Sequence, residues 1–173
     1  MIQFEIEGLE ELQEALAEIS NRVDRYVEGG RGYNQQCALA YYNLLKYNIL
    51  NQTYRYMWPK YNPDYEAWKL KEYPGREFWQ LTMSLYHAIS VWHESREHTK
   101  GGRKAGWAAG LFPSETNEAG VPIDAYAIQM EQGFGNQPAR PLFAPTLDDF
   151  ISDWHKLGRH TFDLVVAKWG KNV

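Results

Sequence analysis

Arg140 sits in the run Pro138-Ala139-Arg140-Pro141, with Glu131 shortly before it and Pro145 shortly after. Proline fixes φ and removes an amide donor, so this spacing predicts an ordered, extended loop that carries one planar cation. A guanidinium makes rigid bidentate pairs with carboxylates, and the chemistry expected of the loop is docking rather than bond-breaking. The carboxylate of Glu131, in the same subunit or in a neighbouring one, is the expected partner. The alternative is that Arg140 ties down only its own loop.

Other chemistry is thin. The five histidines (His87, His93, His98, His155 and His160) form no His-Glu-x-x-His motif and no Cys/His cluster, so no metal is expected. On a strand His93 and His98 face opposite sides, and five-residue spacing separates His155 from His160 on a helix. Gly133-Phe134-Gly135 is a fragment of a dinucleotide fingerprint with Pro138 where the third glycine belongs, so no cofactor is expected. Asp148-Asp149 reads as helix capping, and no nucleophile elbow or phosphate loop occurs, so the chain is not expected to be an enzyme.

The segment Tyr126 to Phe150 resembles the tail-completion, or neck, proteins of tailed bacteriophages. The matching residues are Tyr126, Ala127, Glu131, Gly133, Ala139, Arg140, Pro141, Pro145 and Leu147. Leu142-Phe143 is swapped relative to the usual order, and Gln132 stands where an aromatic is usual. A second block, from Met57 to Ser90, is similar to related virion-morphogenesis proteins at Trp58, Pro59, Tyr65, Lys69, Leu81, Thr82, Leu85 and Ser90, with Ser84 in place of Gly and Ala88 at the expected Ser position. The opening Phe-x-Ile-x-Gly-Leu-x-x-Leu also looks like the start of phage neck proteins.

The resemblance implies a structural virion protein that completes the tail or joins head to tail, built into a ring between a head-side connector and the tail tube or terminator. It would be assembled in the host cytoplasm and located at the virion neck. Docking would fall to Glu131, Gly133, Pro138, Arg140, Pro141 and Phe143, with genomic DNA passing through the ring without specific binding. The alternatives are a tail terminator, a head-closure protein, or a carbohydrate- or nucleic-acid-binding module that uses the dense aromatics, 15% of the chain.

Composition agrees with one globular domain over residues 1–173, long enough to bury a core. No run approaches the length of a membrane span, and the first residues lack the pattern of a secretory signal. The lone Cys37 has no internal disulfide partner and reads as a small buried hydrophobe in a reducing compartment. A net charge of −4 argues against a dedicated nucleic-acid binder. Lys100, Arg103 and Lys104 form the one basic cluster, expected as a solvated hairpin tip or, alternatively, as a contact to DNA or an acidic partner.

The elements that hold these residues read as an α+β fold, with helices packed on a small antiparallel sheet built on a β-hairpin and with long N- and C-terminal helices. A short strand is expected over Gln3 to Ile6. A first helix is expected from Leu9 through Tyr26, stopped by Gly29-Gly30. A second runs from Asn34 to Tyr56, its tyrosines packing, and the stretch Trp58 to Gly75 is a partner-ordered connection with a short helix over Tyr65 to Lys71. A third helix spans Glu77 to Tyr86. Hairpin strands follow over Ala88 to Glu97 and Arg103 to Phe112, where Gly106 and Gly110 call for close packing. The last helix starts at a Thr146 cap, and Leu147, Phe150, Ile151, Trp154, Leu157, Thr161, Leu164, Val165 and Lys168 recur along it at helical spacing as one stripe. Gly158 marks a bend or a close crossing within it.

Overall fold

The computed structural model describes residues 9–27, 32–79, 83–94, 106–112, 115–117 and 120–169. Among the described residues six α-helices and one hairpin follow in the order α1 (Leu9–Val27), α2 (Tyr33–Asn51), α3 (Pro63–Glu72), α4 (Ser84–Ala88), β1 (Ile89–Glu94), β2 (Gly106–Leu111), α5 (Ile123–Gln132) and α6 (Phe143–Trp169). The fold is mostly helical with one two-stranded antiparallel sheet, the expected α+β class with long helices near both ends. The expected strand over Gln3 to Ile6 and the Gly29-Gly30 stop lie outside the described residues.

Helix α2 is the centre, packed against α6, both strands and α1. Its apolar and aromatic residues are spread around the axis, as expected of a helix with neighbours on several sides. Leu45 and Ile49 are fully buried and join Tyr54, Trp58, Phe78, Trp79, Leu85, Ile89, Met130 and Leu142 in one core. Burying a side chain of the Leu or Ile kind contributes about 1.5–3 kcal/mol. The helix ends before Tyr56 because Gln52 takes a left-handed conformation (φ 52°) and returns its N–H to Asn48 O.

Helix α3 is longer than expected because Asn62 caps it. The Asn62 side chain accepts from Asp64 N at 2.9 Å, Pro63 opens the first turn, Asp64 and Glu66 sit at the positive end, and Lys69 and Lys71 at the negative end. The expected third helix over Glu77 to Tyr86 does not form. Trp79 and Met83 both adopt positive φ (62° and 60°), and only the single turn of α4 follows. Adjacent Phe78 and Trp79 are both buried in the core, which the single apolar side of a helix would not give, and residues 80–82, Leu81 among them, lie outside the described residues.

In the hairpin, Ile89 pairs with Leu111 and Glu94 with Gly106. The expectation of a close neighbour at its glycines is corrected: a Cβ at Gly106 or Gly110 would meet open space. Gly110 is required instead by its φ of +149°. Helix α6 begins at Phe143, three residues before the expected cap, and continues through Gly158. Tyr33 crosses there, its hydroxyl 3.3 Å and its ring 3.6 Å from a would-be Cβ, and the hydroxyl donates to Trp154 O, so the glycine marks a close crossing.

Candidate functional site

The Glu131–Arg140 region is the junction between α5 and α6. Helix α5 ends where Gly133 turns at φ +80° and donates its N–H to Gln129 O. A Cβ at Gly133 would lie 2.8 Å from Ala139 N and 2.9 Å from Gln137 O, so the return of the chain over the helix end admits only glycine. The fold-back is fixed by Arg140 N donating to Met130 O at 2.7 Å.

Glu131, in the last turn of α5, performs a role that the sequence did not disclose. Its Oε2 accepts from Leu142 N and Phe143 N at 2.7 and 3.0 Å, and its Oε1 from Ala144 N at 2.9 Å. These are orphan donors of the α6 N-terminus, and the carboxylate also meets the positive end of that helix. No residue next to the helix caps α6; a side chain from the preceding helix does so. Thr146, expected as the cap, is buried in the first turns, where its hydroxyl donates to Leu142 O at 2.6 Å and accepts from Asn48 Nδ2 at 3.0 Å. Asn48 also donates to Tyr54 OH, which donates to Asp149 Oδ2 at 2.6 Å, so one polar chain ties α2 to α6.

Arg140 is 2% exposed. Its Nε donates to Pro59 O at 3.3 Å, and its terminal nitrogens donate to Pro138 O and Lys60 O at 3.5 and 3.4 Å. The Tyr61 and Phe78 rings lie 4.8 and 5.2 Å from the guanidinium carbon. The expected Arg140–Glu131 pair is therefore corrected: Glu131 is committed to backbone amides and Arg140 to carbonyls. The guanidinium is also withdrawn from any flat docking surface, because burial against two rings and three carbonyls holds it inside its own subunit. Of the other expected docking residues, Pro138 is exposed, while Gly133, Pro141 and Phe143 are half-buried. Pro141 O accepts from Trp58 Nε1 at 2.7 Å, Phe143 O accepts from Tyr41 OH, and the Phe143 ring stands edge-on to Trp79. The stretch expected as a partner-ordered connection is thus held from within at Trp58, Pro59, Lys60 and Lys69.

Lys69 is the second cation of this region and is 3% exposed. Its Nζ donates to Glu77 O at 2.6 Å and to Tyr61 OH at 3.0 Å, and it lies 4.6 Å from the Tyr61 ring centre. Burial pushes the ammonium pKa down to about 8; Glu77 opposes the shift and the nearby Arg140 charge adds to it. Burial likewise pushes the Tyr126 phenol up to about 12. These hydroxyls stay neutral donors near pH 7. Tyr61, Tyr65, Tyr126 and Arg140 line an open pocket of about 430 Å³.

A second feature lies along α6. Phe150 and Thr161 are buried and Leu157 is half-buried, but Leu147, Ile151, Trp154 (47% exposed) and Phe162 (66%) stand open on an adjoining arc of the helix. The single stripe read from the sequence is therefore two faces, of which only one is covered. The tryptophans divide similarly: Trp58 and Trp79 are buried, Trp92 and Trp107 half-buried, Trp154 exposed. Cys37 is half-buried, and burial raises its thiol pKa.

Lys100, Arg103, Lys104 and His98 lie outside the described residues. Among the described residues no group of three or more His, Cys, Asp and Glu is placed to hold a metal, and no helix is long and apolar enough to cross a membrane. What the junction offers chemically is hydrogen-bond donation and positive charge around a pocket. Compared with family models, with curated proteins and with solved structures, the chain matches none of them.

Proposed function

We propose that the chain is a structural protein of a tailed-bacteriophage virion, completing the tail or joining head to tail at the neck as a ring of copies. The observation that carries this reading is the open apolar arc of α6, formed by Leu147, Ile151, Trp154 and Phe162 beside the helix's buried face. Large aligned apolar side chains left in water cost free energy that a neighbouring copy would recover. The exposed Leu16 and Val23 of α1, the helix packed beside α6, suit the same kind of helix-to-helix contact. The resemblance of Tyr126 to Phe150 to neck proteins supplies the class of particle. The proline-stiffened segment, held by the contacts of Arg140 to carbonyls of its own subunit, aims α6.

Interrupting the gene in the phage that carries it tests the reading. Filled heads and finished tails that fail to join are expected, with joining restored by the intact chain. Normal yields of complete particles would contradict it.

A second reading rests on one observation. The rings of Tyr61, Tyr65, Trp68 and Tyr73 touch in sequence, with centroids 5.0, 5.4 and 5.8 Å apart, and Trp68 is exposed. Such a ring ladder suits stacking on sugars. Binding of soluble glycans that quenches tryptophan fluorescence, and that is lost in Trp68→Ala, would favour this module over the assembly role.

A further inference from the structure

The guanidinium of Arg140 has more donors than the protein satisfies. Of its five N–H groups, three meet the carbonyls of Pro59, Pro138 and Lys60, which leaves one on each terminal nitrogen without an acceptor among the described residues. Among the described residues no carboxylate is in ion-pair contact with it: Glu131 accepts from the amides at the start of α6, and Glu77 pairs with Arg55 at 3.0 Å. Lys69 places a second buried cation against the same Tyr61 and Phe78 rings. A buried guanidinium that lines an open pocket with two N–H groups unmet, and with a second cation close by, is a costly arrangement unless an anion arrives.

The pocket supplies what such an anion would need. Tyr65 and Tyr126 stand on its wall with hydroxyls that make no hydrogen bond among the described residues, and both remain protonated near neutral pH. Their rings and Met130 give apolar walls, and exposed Asn62 and Gln137 sit at the rim. About 430 Å³ is within the range of ligand pockets and holds one side chain with its flanking backbone. The two unmet N–H donors, one on each terminal nitrogen, suit the two oxygens of a planar carboxylate.

We propose that the pocket lined by Arg140, Tyr61, Tyr65 and Tyr126 is a receptor for a carboxylate side chain, an Asp or Glu on a peptide segment of a partner protein. The carboxylate seats on the free edge of Arg140, takes hydrogen bonds from the Tyr65 and Tyr126 hydroxyls, and lays its methylene stem along the rings. The proposal rests on the reading of the chain as an assembly protein, and gives its partner a chemistry: an acidic segment that enters a pocket. A test on the pure chain keeps the two apart, since it needs no virion.

The full-length protein, labelled with ¹⁵N, is titrated with the blocked peptide acetyl-Gly-Phe-Glu-Phe-Gly-amide, with its Gln counterpart, and with inorganic phosphate, following the Arg140 Nε–H resonance. The Glu peptide is expected to shift that resonance saturably, and the Gln peptide to bind at least about tenfold more weakly, the ratio of one charge-assisted contact. Tyr126→Phe is expected to weaken the Glu peptide by about threefold, the effect of one neutral hydrogen bond, with an unchanged melting temperature. Equal binding of the Glu and Gln peptides, or no saturation up to about 10 mM, would overturn the proposal. So would tighter binding of phosphate than of the Glu peptide, or a Tyr126→Phe chain that binds as the parent does.

Discussion

The α5–α6 junction and the outer arc of α6 meet on one helix and solve opposite problems. At the junction the named polar groups are turned inward: three amides at the start of α6 on Glu131, three carbonyls on Arg140, Asn48 shared between Tyr54 and Thr146. Along the arc, large apolar side chains face outward and stay 40–66% exposed. The residues with the most chemistry hold the fold, and the residues with the least present the surface. Substitutions in the two regions should therefore separate stability from assembly.

The largest stability effect is expected from Glu131→Ala. It leaves three helix-terminal N–H groups without their carboxylate and removes a charge from the helix's positive end, lowering the unfolding free energy in urea by about 3 kcal/mol. A loss under about 1 kcal/mol would mean that water caps α6 equally well. Gly133→Ala should cost about 2 kcal/mol, because φ of +80° and two backbone contacts under 3 Å both oppose a Cβ. A chain of unchanged stability would show that the loop relaxes.

On the other region the order reverses. Trp154→Ser should change stability by no more than about 0.5 kcal/mol, the range of surface sites, yet sharply reduce joined particles in a complementation assay. A normal particle yield from a variant of native stability would remove the arc from the contact.

The smallest effect is a pH dependence centred on Lys69. Its folded pKa, about 8, lies below the ordinary lysine value, so between about pH 8 and 10.5 the unfolded chain holds the proton that the folded chain has released. Stability from this group therefore rises across that window, the burial penalty being complete below it. The buried phenols Tyr41, Tyr54 and Tyr126, raised to about 12, act in the opposite sense above pH 10, where the unfolded chain ionises first. Lys69→Met should flatten the rise between pH 8 and 10 in denaturant melts and leave the fall above pH 10. An unaltered profile would mean that the ammonium is solvated.

Much of the architecture was legible because it is written locally. Apolar spacing placed α1 and alternation placed the hairpin, whereas the local Asn62-Pro63 start of α3 was passed over. The failures came where distant residues decide. Nothing near Phe143 announces that Glu131, on another helix, will cap α6, so Thr146 was the better local signal and the wrong one. Trp79 and Met83 take positive φ, with Trp79 buried in the core, and periodicity over Glu77 to Tyr86 is blind to it. The Pro-Ala-Arg-Pro cluster was legible as a stiff loop carrying an arginine. Which way the arginine faces depended on the rings of Tyr61 and Phe78, far away in sequence. The α6 stripe was visible as a whole, but helical spacing alone cannot say which part a neighbouring helix covers.

A reconstruction of the neck of the intact virion by electron cryomicroscopy tests the central claim most directly. The account predicts a ring of copies of this chain in which Leu147, Ile151, Trp154 and Phe162 of each copy are covered by its neighbour, while Arg140 keeps its contacts within its own subunit. A virion that lacks the chain, or a ring in which that arc of α6 faces solvent, would contradict it.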